Sequence, residues 1–429
     1  MRFLGRCFPA LTAAAVVAAG GIFATGSAAV PASAVPVSAE PAAHVAVAEK
    51  ATETSPVRVA TYNASLNRQN PGDLVRELSG TTSTQARAVA GIIQATAPDV
   101  VLLNEFDYDP DHRAAELFRT NYLAVGTGGA RGITYPYVYT APSNTGVPSG
   151  MDLNNDGVIG GPDDAFGYGA FEGQYGMVLY SKYPIDRANV RTFQNFKWSD
   201  MPGALLPTDP VSGGADWYSA DELAQVRLSS KSHWDVPVII GRKSVHILAS
   251  HPTPPVFDGR EDRNGRRNND EIRLWADYIE GGKAAAYLYD DQGRWGGLSG
   301  GERFVILGDQ NSDPLDGDSI AGSIDQLLIH RLVHDPLPSS EGAAEASALQ
   351  GGANARHRGL AAHDTADFED QSAGNLRVDY VLPSKNLPVL RSGVFWPRVG
   401  TPGSDLTGIF PFPSSDHRLV YADVRVRGS

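Results

Sequence analysis

The side chains best suited to chemistry in this chain are scattered carboxylates, carboxamides and imidazoles: Asn63, Glu105, His251, Asp309, Asn311, Asp379, Asp416 and His417. Carboxylates hold a divalent cation or orient water, imidazoles move protons near neutral pH, and carboxamides fix a polar substrate atom. The densest stretch is Gly308-Asp309-Gln310-Asn311. The apolar run Phe304-Val305-Ile306-Leu307 before it reads as a buried strand. An acid and a carboxamide two positions apart face the same side of an extended chain. Gly, Asp and Asn are also ordinary turn residues, so the stretch acquires meaning only from partners.

The elements that must supply those partners follow from hydrophobic periodicity. Residues 57–63 alternate and predict a strand ending at Asn63. Residues 84–97 have helical spacing, with Ser83 or Thr84 as cap and Ala88, Ile92, Ile93 and Ala97 on one face. Residues 100–103 predict a buried strand that delivers Asn104 and Glu105 at its end. Further strands are expected at 177–181, 238–240 and 245–249, the last ending in Ser250-His251-Pro252. Helices are expected at 270–279 and 320–332, and strands at 377–382 and 419–426. Asp379 lies in a β-branched run, where an unpaired acid is costly to bury; His417, just before the last strand, is the cation at hand. Residues 185–235 read as an excursion from the core and 338–375 as a mobile loop.

Composition narrows the function classes. Residues 1–39 have the pattern of a secretory signal: a charged start at Arg2 and Arg6, an apolar stretch, then small residues suited to cleavage. A membrane anchor is disfavoured because the stretch is short and rich in Ala and Gly. Residues 40–56 read as a disordered lead-in, and 57–429 as one domain with inserted loops. The only cysteine, Cys7, falls within the leader, so a secreted mature chain would fold without disulfides. The chain has 36 Lys+Arg against 49 Asp+Glu, and loss of the leader takes its net charge from −13 to −15. That argues against a broad basic grip on nucleic acid while leaving room for a local basic pocket. The composition sets no oligomeric state.

Two further stretches carry chemistry. Residues 152–163 match the spacing of a calcium loop, with oxygen ligands at Asp152, Asn154 and Asp156, a turn at Gly157, the Val158 carbonyl, and Asp163 in the twelfth position. A structural Ca2+ that rigidifies a long loop is the expectation; an acidic surface turn is the bland alternative. Residues 258–281 hold Arg260, Arg263, Arg266, Arg267 and Arg273 among acids. These read about equally as ion pairs within a helix, Arg266 and Arg267 standing four residues before Asp270 and Glu271, or as phosphate-binding forks.

Taken in order, Thr61-Tyr62-Asn63, Leu103-Asn104-Glu105, Ser181-Lys182-Tyr183-Pro184-Ile185, Ser250-His251-Pro252, Gly308-Asp309-Gln310-Asn311, Arg377-Val378-Asp379-Tyr380-Val381 and Ser415-Asp416-His417 resemble the endonuclease/exonuclease/phosphatase superfamily, the deoxyribonuclease-like fold. The resemblance covers about residues 57–427. It implies an α/β class fold, a four-layer α/β/β/α sandwich of two mixed sheets flanked by helices, with the site at one edge. It implies a metal-dependent phosphoric ester hydrolase using Mg2+ or Mn2+, with Glu105, Asp416 and Asn63 at the metal. By the family pattern Asp309 would orient or deprotonate the attacking water and Asn311 would hold a phosphate oxygen. His417, fixed by Asp379, would bind or protonate the phosphate, and His251 would stabilise charge on the other side. Asn104 stands where many members have Gln, and Gln174-Tyr175 replaces an Asn-Gly type approach, so Gln174, Tyr175, Arg263 and Arg267 are the expected substrate contacts. A secreted phosphodiesterase or phosphomonoesterase is favoured; an extracellular nuclease of the same fold comes second, and a non-enzymatic calcium-binding surface protein is the alternative of another class.

Overall fold

The computed structural model describes residues 56–209 and 217–426; the expected leader, residues 40–55 of the lead-in and their boundary lie outside the described residues. Thirteen strands occur in the described residues: β1 Val57–Leu66, β2 Val100–Phe106, β3 Tyr137–Tyr139, β4 Met177–Ser181, β5 Arg191–Thr192, β6 Trp234–Ile240, β7 Lys243–Ala249, β8 Phe304–Asp309, β9 Ala366–Asp367, β10 Asn375–Leu376, β11 Asp379–Pro383, β12 Val389–Val394 and β13 Val420–Val424. One sheet has the order β12-β13-β1-β2-β4-β3, the other β11-β8-β7-β6-β5, and β9 and β10 form a small pair apart from both. Each large sheet is mixed, with one parallel pair, β1 with β2 and β7 with β8.

Strand residues alternate between faces, and here both faces are buried, which is why the strands read as continuous apolar runs. Val57, Val59, Val100, Leu102 and Leu179 point inward and meet Val236, Ile247, Val305 and Leu307 of the second sheet. Their neighbours Ala60, Tyr62, Val101, Leu103 and Tyr180 point outward onto the helix Thr84–Thr96. On the other side Leu248, Phe304, Ile306 and Tyr380 pack against Ile272, Trp275, Tyr278 and Ile279 of the helix Arg263–Glu280. The result is the expected layering of helix, sheet, sheet and helix. Ser83 caps the first helix by accepting from Ala86 N at 3.2 Å.

Three expectations change. The helix anticipated at 320–332 is only Asp325–Leu328. Gly322 stands at φ +86° before it, and after it Leu332 and Pro383 carbonyls bond Lys385 N and His334 N, both at 2.8 Å, drawing the chain to the end of β11. Residues 338–375 contain a capped helix, Glu341–Gln350, and the β9–β10 pair rather than a featureless loop. That helix buries only Gly342 and Ala343, too small a stripe to show as periodicity. Its Gly342 abuts Trp396 O so closely that a Cβ would collide. The second long helix begins at Arg263, seven residues early, because its first two turns are polar. Among the described residues no helix is long and apolar enough to cross a membrane.

The inter-sheet core sets the scaffold's stability. Leu102→Ala removes a fully buried side chain between the sheets and is expected to cost about 2–5 kcal/mol. Urea unfolding followed by tryptophan fluorescence reads that loss; a shift below about 1 kcal/mol would contradict the packing described.

Candidate active site

At one edge of the sandwich the ends of β1 and β2 meet the ends of β8 and β11. Asn63 and Asn104 are register partners in the first sheet, and Asp309 and Asp379 in the second. Asn104, fully buried, ties the sheets together. Its Oδ1 accepts from Asp309 N at 3.2 Å, and its Nδ2 donates to Ser250 O at 3.3 Å. Gly308 lets β8 approach β7: it stands at φ +143°, and a Cβ there would collide with Ser250 O.

Asp309 occupies the centre and is 1% exposed. Its Oδ2 lies 3.1 Å from Asn63 Nδ2, 3.4 Å from His251 Nε2 and 3.7 Å from His417 Nε2. Burial pushes the carboxyl up, but His417, His251 and the Asn63 amide together hold it well below the usual carboxylate range. Asn311 does not share a strand face with it. Asn311 turns at φ +51°, donates its N–H to Asp309 Oδ1 at 2.9 Å, and gives its amide to Pro252 O at 3.1 Å.

His417 Nδ1 lies 2.9 Å from Asp379 Oδ2. The same Oδ2 accepts from Thr365 Oγ1 at 2.9 Å, and that hydroxyl accepts from Val378 N and Asp379 N. Burial pulls the His417 imidazole down, but the charges of Asp379 and Asp309 raise it well above its ordinary value. The raised value favours the cation, whose Nε2 lies 3.4 Å from Asn63 Nδ2 and 3.7 Å from Asp309 Oδ2. Burial pushes Asp379 up against that cation's pull. His251 is driven the other way, by burial and then by the charge of Lys231, and is neutral.

Glu105 reaches the site through a backbone irregularity. The β1–β2 register shifts between Asn63 and Leu66, and Ser65 and Glu105 both take positive φ, 48° and 55°. Such non-glycine conformations cost about 1–3 kcal/mol each and gather at functional sites. Glu105 accepts from Asn63 Nδ2 at 3.1 Å and Asn67 Nδ2 at 2.8 Å, which leaves lone pairs on both oxygens. Asp416 is half-buried nearby, accepting from Ser65 Oγ at 3.3 Å. These hard oxygen donors fit magnesium or manganese. Asn63 presents its nitrogen to both Glu105 and Asp309, so it orients the acids rather than adding a ligand. Asp309, Asp379 and His417 also lie close enough together to hold an ion. Their spacing is that of a hydrogen-bonded relay, and Asp379 is sealed behind His417, so we read them as proton machinery.

A cavity of about 560 Å³ opens beside Glu105 and His251. Tyr175, Arg263 and Arg267 line it, as does Lys231. Tyr175 stands at φ +55° and donates its N–H to Asp107 Oδ1 at 3.2 Å; burial pushes that acid up to about 7. Gln174 does not reach the cavity. Its amide is fully used on backbone, donating to Arg68 O and accepting from Ala170 N, both at 2.7 Å. Arg267 donates Nε to Leu228 O at 2.8 Å and Nη2 to Phe166 O and Arg227 O, leaving only Nη1. Arg263 pairs with Glu261 and sits over the Trp217 ring. The expected Arg266–Asp270 and Arg267–Glu271 pairs do not form, because those acids face inward; Arg273–Asp277, at 3.2 Å, is the i,i+4 pair of this helix.

The helix acts instead as a backplate. Glu271 accepts from Ser230 N and Thr253 N at 2.6 Å each, and Asn268 Nδ2 donates to Thr253 O and Gln310 O. Trp275 Nε1 donates to Ser250 Oγ at 2.9 Å. Thus one helix fixes the turns that follow β7 and β8. The loop at 152–163 is closed by its own hydrogen bonds: Asp152 accepts from Asp156 N and Gly157 N, and Asp156 from Val158 N. Asp164, one residue past the expected Asp163, is the acid that turns in, accepting from Leu153 N and Gly160 N at 2.7 Å. Its carboxylates do not converge on one point.

Sequence reasoning named Asn104 and Glu271 without their roles in joining the sheets and holding the turns, and passed over Thr365 and Lys231. Asn104 shows as a polar residue at the end of a buried run, a usable signal. Thr365 and Lys231 lie in aperiodic stretches and show none.

No curated protein sequence matches the chain. Among solved structures, an endonuclease/exonuclease/phosphatase from Beutenbergia cavernae DSM 12333 is 18% identical, covering 87% of this chain and 72% of its own at a TM-score of 0.47. Truncated TDP2 from Caenorhabditis elegans is 16% identical, covering 86% and 97% at 0.40. Sphingomyelinase C from Streptomyces griseocarneus is 18% identical, covering 86% and 99% at 0.42. The model of the Endonuclease/Exonuclease/phosphatase family matches residues 60–417, a span running from the strand of Asn63 to His417 itself, and the chain belongs to that family.

Proposed function

We propose that the chain hydrolyses a phosphodiester or phosphomonoester by attack of water, with a divalent cation, Mg2+ or Mn2+, held by Glu105 and Asp416. The observation that carries this is a buried Asp309 carboxyl with His251 Nε2 at 3.4 Å and His417 Nε2 at 3.7 Å, beside a cavity that Glu105 and His251 line. Members of this family cleave phosphoesters, as phosphatases or nucleases. The cation, when bound, offsets phosphate charge that repels a nucleophile.

The chain's own residues supply the rest. Asp309, deprotonated and fixed by Asn63, accepts a hydrogen bond from water and orients its lone pair to phosphorus. His417 donates from Nε2 to a phosphoryl oxygen, its other nitrogen held by Asp379. Neutral His251 hydrogen-bonds on the far side of Asp309. A cavity of about 560 Å³ and a strongly acidic chain favour a small, sugar or lipid phosphate over a nucleic acid. The leader pattern supports a secreted enzyme.

Hydrolysis of a chromogenic phosphodiester, a phosphomonoester and plasmid DNA is measured in parallel, with magnesium and with chelator. Turnover of at least one small ester that chelator abolishes is expected; nicking of DNA alone would favour the nuclease, and inactivity on all three would revive a binding protein. Asp309→Ala and His417→Ala should each lower kcat/KM by about 10²–10⁴-fold with an unchanged circular dichroism spectrum. Wild-type turnover by either purified variant would sink the assignment.

The His417–Asp379 pair also fixes a pH dependence. Folding raises the His417 pKa above its ordinary value of about 6.5. Its contribution to stability is therefore complete below about pH 6.5 and is lost as pH rises through the raised value. In Asp379→Asn the imidazole resonances of His417 should titrate at lower pH than in wild type. Identical NMR titrations would mean that Asp379 does not hold the charge.

A further inference from the structure

Lys231 has no role in the chemistry above, and no motif announces it. It is 7% exposed and lines the cavity together with Glu105 and His251. Among the described residues its ammonium makes no hydrogen bond and has no carboxylate within 4.0 Å, although most buried cations are paired. The largest electrostatic compensation is Glu271, whose two oxygens also accept from Ser230 N and Thr253 N. The position is built. Ser230 N is held by Glu271, Lys231 O accepts from Asn144 N at 2.8 Å, and Ser229 O accepts from Asn144 Nδ2 at 2.7 Å. Arg267 holds the two residues that precede Ser229. Five bonds thus fix a short segment from which the Lys231 side chain reaches the cavity without a hydrogen-bond partner among the described residues.

The other cations there are engaged, Arg263 by Glu261 and Arg267 by three carbonyls. Lys231 also acts electrically on the catalytic edge. Its charge helps to lower His251, while burial lowers Lys231 itself, against the charges of Glu271, Glu105 and Asp309.

We propose that Lys231 is a substrate-binding residue that takes a non-bridging oxygen of the phosphoryl group on its cavity side. This rests on the phosphoesterase reading above. Phosphate is then held from two directions, by His417 at the sheet edge and by Lys231 from the inserted segment, and an ester without an accessible anionic oxygen is excluded. The competing explanation is that Lys231 serves by its aliphatic stem, as packing.

K231M, K231Q and K231R separate these roles, with inorganic phosphate as the binding probe by calorimetry and the chromogenic esters for turnover. A hydrogen bond to a charged group predicts that K231M and K231Q weaken phosphate binding and raise KM by about 10–150-fold, and that K231R recovers part of the loss. Because a buried cation without a partner destabilises the fold, K231M should keep or raise Tm. Unchanged phosphate affinity in K231M and K231Q, whatever their Tm, would overturn the proposal, as would a wild-type protein that binds no phosphate. The two readings fail separately. Wild type that binds phosphate through Lys231 yet hydrolyses no ester contradicts only the enzymatic reading, whereas active wild type matched by K231M contradicts only the role of Lys231.

Discussion

Two neighbouring carboxamides join the sheets where the site is built. The interior of the sandwich is apolar and would allow the sheets to slide or rotate at modest cost. Asn104 and Asn63 remove that freedom at one edge, the first bonding Asp309 N and Ser250 O, the second bonding the Asp309 carboxylate. A buried amide without partners is expensive, so each bond specifies one relative placement of the sheets. The distance between Glu105 on one sheet and Asp309 on the other is thereby a property of the fold. Asn suits this place because its short side chain brings the sheets within direct hydrogen-bonding range.

Around that joint the charges are arranged by burial and by partner. Asp309 is kept anionic because two imidazoles and an amide face it. His417 is raised by Asp379 and Asp309 against burial, while His251 is lowered by burial and then by Lys231, against the pull of Asp309 and Glu105. Two histidines with opposite tendencies flank one carboxylate, an arrangement that under the proposed mechanism would orient water and stabilise phosphate charge at one pH. The helix Arg263–Glu280 supports the arrangement from behind. Its Glu271, Asn268 and Trp275 hold the backbone and hydroxyl of the turns that carry His251 and Asn311.

The strand frame was readable because every core strand is apolar on both faces, and a run such as Val100-Val101-Leu102-Leu103 admits few other readings. The polar residues that end those runs, Asn63, Glu105, His251 and Asp309, are brought together by the structure for the same reason: a strand's end is where its buried register stops. What was not readable is where meaning lies in long-range partners. The polar turns Arg263–Asn269 carry no period, so neither the helix start nor its function as a backplate could be inferred. Arg267 has a fork suited to phosphate, but three carbonyls from distant loops consume most of it. The loop at 152–163 has the ligand spacing of a calcium site, yet spacing does not say whether the acids face a common centre or cap their own amides. Thr365 lies in a stretch that looks featureless until Asp379 is found bonded to it.

Several costs coincide at this edge, although positive φ at non-glycine residues also occurs elsewhere, as at Ala97, His112 and Asp262. At the site Ser65, Glu105, Tyr175 and Asn311 all take positive φ, and the ionisable Asp309, Asp379, His417 and Lys231 are all buried. Each would lower stability on its own. Strained backbone at Glu105 and Tyr175 turns both residues to the cavity, and burial strengthens every interaction among the charges. Packing in three apolar layers supplies the stability that such a site consumes. Folds generally satisfy local rules everywhere except where function requires otherwise. On that principle the proposal would place Lys231 with the catalytic edge: among the described residues it is the one of these four groups with no hydrogen bond or ion pair.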